Sequence, residues 1–293
     1  MRLSVIVATR DRASALAALL DRLKAQRLRP GDEWEAIVVD DGSRDGTAAI
    51  LREAAGPGFP LIVLHQARLG KPCALNAGLA RAVGEVIAFT DDDCLPPPTW
   101  LADIAAQFSG EPTLAGLGGR VLLEDAADRP VAVRTRADRW ELTSARDLYE
   151  FAIGANMAFR RSVVDDVGGF DPNVGPGAFV PSGNDIDLIY RVFHHGHRIA
   201  FIPEVTVYHR HGRRTDEDTA SVHRRYSIGR GGFYAKYGLR GHAAVIGLGL
   251  REFGDALRGA DAQRLGALLR GFGRRVGLDL GIRHPPKLSG PAS

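Results

Sequence analysis

The first ninety residues repeat one pattern: a short apolar run, a polar stretch, then apolar residues at helical spacing. Residues 3–8 (LSVIVA) are β-branched and bounded by polar residues, which predicts a buried strand. Leu16, Leu19, Leu20 and Leu23 then mark one face of a helix. Residues 36–39, 61–64 and 86–89 read as further strands, and 47–55 and 74–82 as further helices. Alternation of this kind predicts an α/β fold, a mostly parallel sheet with helices on both faces. Such sheets bind ligands beyond the carboxyl ends of their strands.

The residues at those ends are Thr9-Arg10-Asp11, Asp40-Asp41-Gly42-Ser43 and Asp91-Asp92-Asp93. No GxGxxG follows the first strand and no P-loop pattern occurs, which argues against a dinucleotide dehydrogenase. Gly116-Leu117-Gly118-Gly119 is a partial match in the wrong place and reads as a turn. Three consecutive aspartates after a buried strand raise one another's pKa or recruit a cation. Hard oxygen ligands select Mg²⁺ or Mn²⁺, ions that bridge to diphosphates. The competing reading is that these aspartates favour the dipole of the next helix. Asp40-Asp41 on a neighbouring strand end favours the metal.

Other features bound the remainder. Residues 1–209 carry 22 basic against 28 acidic side chains, a net of −6, whereas 210–293 carry 16 against 7, a net of +9. A basic C-terminal stretch points to an anionic surface or ligand. Within it, Leu265, Leu268, Leu269, Phe272 and Val276 keep one helical face and Leu250, Phe253 and Leu257 another, with Arg264, Arg270, Arg274 and Arg275 elsewhere around the turn. Residues 226–238 mix glycine, arginine and aromatics and read as a mobile connection with phosphate-binding potential. Residues 285–293 read as a disordered tail. The longest apolar run, 243–250, is far short of the roughly 20 residues that span a bilayer. Residues 1–8 are too short for a signal peptide and are followed at once by Arg10, Asp11 and Arg12. Cys73 and Cys94 make no disulfide framework, and His194, His195 and His197 read as an exposed helix end rather than a zinc site.

The runs SVIVATRDRASAL, VVDDGSRDGT, GKPCALNAGLARAVGEVIAFTDDDCLPPPTWL, GANMAFRRSVVDDVGGFD and GNDIDLIYRVFHHGHRIAFIPEVTVYH occur in this order over about residues 1–210. Together they resemble a family 2 glycosyltransferase of GT-A fold. The resemblance implies a Rossmann-type sheet domain over 1–210, with 211–293 as a basic, mainly helical extension. It also implies inverting, metal-dependent, non-processive transfer of a sugar from a nucleotide diphosphate-sugar to a saccharide or lipid-linked hydroxyl acceptor. In that reading Ala8, Arg10 and Asp41 hold the nucleobase, and a carboxylate suits the N3–H of uracil or thymine. Asp91 bonds the ribose, while Asp92, Asp93 and the strand-ending His209 hold the cation, Mn²⁺ or Mg²⁺. Lys71 and Arg68 are candidates for the diphosphate. Asp185 is the general base, with Asn184 where the family has an acid. Asp187, at the wrong helical phase, faces away. Asn156 serves sugar hydroxyls and Gly169 the acceptor loop.

The alternatives are a sugar-nucleotide pyrophosphorylase, whose glycine-rich loop ATRDRAS lacks, and an inactive family member serving as an assembly subunit, against which Asp41, Asp91, Asp92 and Asp185 argue while Asn184 keeps it open. No nucleic-acid partner is expected. A cytoplasmic location is, with peripheral contact at the inner face of the membrane through 240–280, or packing of those helices within the domain or a homodimer.

Overall fold

The computed structural model describes residues 1–282; the segment 285–293 lies outside them. Four parallel strands, β1 (Arg2–Thr9), β2 (Glu33–Asp40), β3 (Leu61–His65) and β4 (Val86–Thr90), stand side by side in the order β3-β2-β1-β4. The first three are followed by α1 (Ala13–Lys24), α2 (Thr47–Ala54) and α3 (Lys71–Arg81). Period-two alternation sorts β1 between two core layers. Leu3, Val5 and Val7 pack with Leu16, Leu19, Leu20 and Leu23 of α1, while Ile6 packs on the opposite layer with Ala74 and Leu75 of α3.

The sheet continues through β5 (Cys94–Leu95), α4 (Trp100–Gly110), β6 (Gly116–Leu123), β7 (Trp140–Glu141), α5 (Leu148–Phe151), β8 (Asn156–Arg160) and α6 (Arg161–Val167). The last elements are α7 (Asn184–His194), β9 (Ile199–His209), α8 (Asp216–Gly238), α9 (Ala243–Arg258) and α10 (Ala262–Asp279). Strand β8 runs antiparallel between β4 and β6, and β6 pairs in parallel with β9. Cys94 of β5 lies opposite His209 of β9, which carries that histidine to the end of β4.

Two expectations are corrected. Gly116-Leu117-Gly118-Gly119 is not a turn but the start of β6. Its glycines are there for space: a Cβ on Gly116 would lie 2.3 Å from the Phe159 ring, and one on Gly119 would lie 2.1 Å from the Val205 carbonyl oxygen. Residues 226–238 are not a mobile connection but the second half of α8, a 23-residue helix opened by a capping box in which Thr215 and Asp218 satisfy each other's backbone. Here too small residues permit close approach, since α8 crosses α10 with almost no side chain between them. A Cβ on Gly231 would sit 2.0 Å from the Leu268 carbonyl oxygen, and one on Gly271 would sit 1.8 Å from that of Ile228.

Charged groups bolt these helices to the body. Lys236 of α8 bonds Asp171 at 2.8 Å and Asp187 at 2.5 Å, and Arg275 of α10 reaches Asp171 at 2.7 Å. Burial pushes the Asp171 carboxyl up, but Lys236 and then Arg275 outweigh it and hold it below the usual carboxylate range. Arg275 is thus a buried partner rather than a solvated charge. Asp187 also accepts from Tyr237 at 2.8 Å and Arg191 at 3.0 Å, so it does point away from its neighbour Asp185.

The α8–α10 crossing yields a prediction. Gly271→Ala forces backbone apart at a contact with no flexible side chain to yield, and is expected to destabilise the chain by about 1–3 kcal/mol. Urea unfolding checks this; an unchanged midpoint would mean that the helices do not cross as closely as described.

Candidate active site

A cleft of about 530 Å³ opens at the carboxyl ends of β1, β2 and β4. Its floor is the acidic turn after β4, closed by the Cys94 N–H donating to the Asp91 carbonyl at 3.1 Å. Each carboxylate has its own answer. Asp91 is paired with Lys71 at the start of α3. Asp92 accepts from the Thr9 hydroxyl at 2.8 Å, and Asp93 from Arg12 at 2.7 Å, with His209 Nε2 at 3.1 Å.

The balance of charge is uneven. Burial and the adjacent Asp93 push the Asp92 carboxyl up to about 6, against the pull of Arg12 and Thr9. Asp93 is held well below its usual range, because His209 and Arg12 outweigh its burial. His209 is raised in turn: burial opposes its charge, but Asp93 prevails. Lys71 is likewise raised despite burial, by Asp91, Asp92 and Asp185. The turn therefore remains short of positive charge at Asp92 even with two cations beside it.

Asp93, Cys94 and His209 bring one ligand atom each to within 4.8 Å of one another. Burial, with Asp91 and Asp93, raises the Cys94 thiol well above its ordinary range, so it is the poorest donor of the three. Carboxylate oxygen is the donor type that suits Mg²⁺ or Mn²⁺, and an imidazole nitrogen beside it favours a transition ion such as Mn²⁺ over Mg²⁺. The residues present fit a divalent cation.

Ala8, Arg10, Asp41, Lys71, Asp91, Asp92, Asp93 and His209 all line the cleft. Asp41 closes the loop ahead of α3: its Oδ1 accepts from Gln66 Nε2 and the Leu69 N–H, both at 2.7 Å, and its Oδ2 from the Gly70 N–H at 3.0 Å. Asp185 lies at the first turn of α7, half-buried, with one oxygen accepting from the Gly154 N–H at 2.8 Å and the other from the Ile186 N–H at 2.9 Å. Its charge reaches Lys71, Arg134 and Tyr226. The cap of α7 is Gly183, in the left-handed conformation, so neither Asn184 nor Asp185 is spent as an N-cap.

Arg68 is not among the residues that line the cleft, and three further candidates stand elsewhere. Asn156 is fully buried; its Oδ1 accepts from Trp100 Nε1 at 3.0 Å and its Nδ2 donates to the carbonyls of Arg120 and Val205 at 2.8 and 2.9 Å. Both of its N–H groups are spent and the side chain is sealed from solvent, so it offers nothing to a sugar, and the contact with Asp185 in this segment comes from the Gly154 backbone instead. Gly169 packs on α3, where a Cβ would meet Asn76 Oδ1 at 2.4 Å, because Asn76 clasps the Phe170 backbone in both directions. Asn184 is buried against Gly175.

The sequence reading missed Arg12 and most of the far wall. That wall consists of Ser182, Arg213, Val222, Arg225 and Tyr226, the last three from α8. The body and the extension expected to begin at 211 thus share one cleft. A signal was present in Thr215-Asp216-Glu217-Asp218, whose spacing opens a helix.

The family model described as Glycosyl transferase family 2 matches residues 4–168. The pre-mycofactocin glycosyltransferase of Mycobacterium tuberculosis is 30% identical over 222 residues, covering 71% of this chain and 42% of that protein. Glycosyltransferase AglE of Haloferax volcanii is 30% identical over 207 residues, 69% of this chain and 64% of that protein. The chain thus spans less than two thirds of the length of either relative. Among solved structures, the mannosyltransferase PcManGT of Pyrobaculum calidifontis, described in complex with GDP-Man and Mn²⁺, is 23% identical. It superposes with a TM-score of 0.62 over 96% of this chain and 79% of its own, which shows the shared fold.

The charge balance in the cleft predicts that Asp92→Ala loses metal-dependent nucleotide binding. Calorimetry with UDP, with and without Mn²⁺, reads this directly: the parent gains affinity with Mn²⁺ and the variant does not. Equal UDP affinity for both proteins under both conditions would count against Asp92.

Proposed function

The chain belongs to glycosyl transferase family 2, and from that premise we propose that it transfers a sugar, with inversion, from a nucleotide diphosphate-sugar to a hydroxyl of a saccharide or lipid-linked acceptor. The observation that carries this reading is the meeting of the acidic turn, Arg10 and Asp41 in one cleft, with Asp185 three residues along the chain from Ser182 of the cleft wall. Family membership sets aside the pyrophosphorylase reading.

Asp92, Asp93 and His209 are the residues that would hold a divalent cation. Such an ion, when bound, supplies positive charge beside the departing diphosphate. Lys71, kept charged by Asp91, adds a second cation at the same edge. Asp41 keeps a lone-pair direction on Oδ2 for the N3–H of uracil or thymine, which favours a UDP- or dTDP-sugar. Ala8 lines the same cleft with a small side chain, which leaves room for a base.

Inversion needs a base on the side of the sugar opposite the leaving group. Asp185 serves there: each of its oxygens takes one backbone N–H, which orients the carboxylate, and each keeps a lone pair for the acceptor's hydroxyl proton. Asp187 cannot substitute, because Lys236, Tyr237 and Arg191 occupy it inside the protein.

Asp185→Asn is expected to bind donor like the parent and to turn over at least ~100-fold more slowly. The readout is UDP or dTDP release from the nucleotide sugar that a thermal-shift panel selects. Parent-like turnover in Asp185→Asn would remove it from the reaction. A parent that binds donor yet releases nothing with any acceptor tried would favour the assembly-subunit reading, to which Asn184 lends weight.

A further inference from the structure

Among the described residues, seven of the ten exposed large hydrophobic side chains fall between residues 239 and 282. Scattered exposed leucines are ordinary on a protein surface; a concentration of four on α9 and α10, with the other three at or just past helix ends, is not. On α9, Ile246, Leu250 and Leu257 share about 40° of arc at 100° per residue, and Leu250 and Leu257 are 72% and 64% exposed. On α10, Leu269 is 55% exposed, and Leu280, the residue that caps the helix, falls within about 20° of it when the turn is continued. The half-buried rings of Phe253 and Phe272 meet edge to face at 6.4 Å between these helices and join the two stripes.

The inner faces of the same helices are fully committed. Glu252 gathers Arg230, Arg264 and Tyr234, and Arg275 reaches Asp171. The outward leucines are therefore not displaced core residues; they are surplus to the packing of the chain on itself.

The charges beside the stripes select what covers them. Arg251 and Arg270 are exposed and have no carboxylate partner among the described residues, and Arg258 has only the exposed Asp255 of its own helix. A second copy placed across a two-fold axis at the middle of the α9 stripe would bring Arg251 towards its own mate. An anionic lipid surface has the opposite character: apolar depth for the leucines and phosphates for the arginines, whose long stems let the charge stay at headgroup level. The net of +9 over 210–293, against −6 over the rest, orients the molecule the same way. No helix among the described residues is long and apolar enough to cross a membrane, so contact here is lateral.

We propose that α9 and α10 dock this protein on an anionic membrane surface, with the outward leucines at the acyl boundary and Arg251 and Arg270 on lipid phosphates. This goes beyond the sugar-transfer reading and does not depend on it.

The experiment is co-sedimentation of the full chain with vesicles of POPC alone or POPC:POPG 1:1, at 50 mM and 500 mM NaCl, beside sedimentation equilibrium without lipid. The parent is expected to bind the anionic vesicles at least ~10-fold better than the neutral ones, and less at high salt. Leu250→Glu with Leu257→Glu, and separately Arg251→Glu with Arg270→Glu, are each expected to lose most of that binding with an unchanged circular dichroism spectrum. A parent left in the supernatant with anionic vesicles at low salt overturns the proposal. So does a leucine variant that binds as well as the parent, since binding would then need no apolar face. A parent dimer that Leu250→Glu dissociates, without vesicle binding, would assign the patch to a second copy instead. Should the paired variants misfold, the parent's dependence on lipid charge and salt decides.

Discussion

Three carboxylates in succession at the end of a buried strand repel one another, and much of the fold is placed to answer that repulsion. Arg12 comes from the loop after β1, Lys71 from the start of α3, and His209 from the end of β9. None of the three is near the turn in sequence. Each arrives because a parallel strand, a crossover helix or an antiparallel bridge ends beside β4. Even so, burial and Asp93 leave the Asp92 carboxyl near 6, which is the electrostatic opening a divalent cation would fill.

The C-terminal helices belong to this arrangement as much as the sheet does. Helix α8 supplies one wall of the cleft and, through Lys236, holds Asp187 on the first turn of α7, two residues from Asp185. Removing one member of a buried charged cluster leaves its partners desolvated and unpaired, so such a cluster fixes position strongly. The glycines that let α8 and α10 touch backbone to backbone serve the same end.

The parallel half of the fold was legible because β-branched runs and leucines at helical spacing report burial directly, and the strand-end rule then located the acidic floor. Partner identity was not legible. Asn156 has the chemistry of a sugar ligand, yet Trp100 and two carbonyls hold it fully buried, a fact that depends on β6, β8 and β9 meeting. The glycines of β6 resembled a turn because the Phe159 ring and Val205 carbonyl that exclude a side chain there are distant in sequence. Helix α8 escaped notice because it is packed from several sides, by α7, α9 and α10, and so shows no single apolar stripe. Arg225 was lost with it, and Tyr226 was read only as part of a mobile stretch.

The central claim is that the acidic turn after β4 is where a cation joins nucleotide diphosphate to protein. A crystal of the full chain grown with UDP and Mn²⁺, measured at a wavelength where manganese scatters anomalously, tests it most directly. The account predicts one anomalous peak bonded to the diphosphate and to side chains among Asp92, Asp93 and His209. Ordered UDP in the cleft with no peak at the turn, in the presence of saturating Mn²⁺, would contradict it.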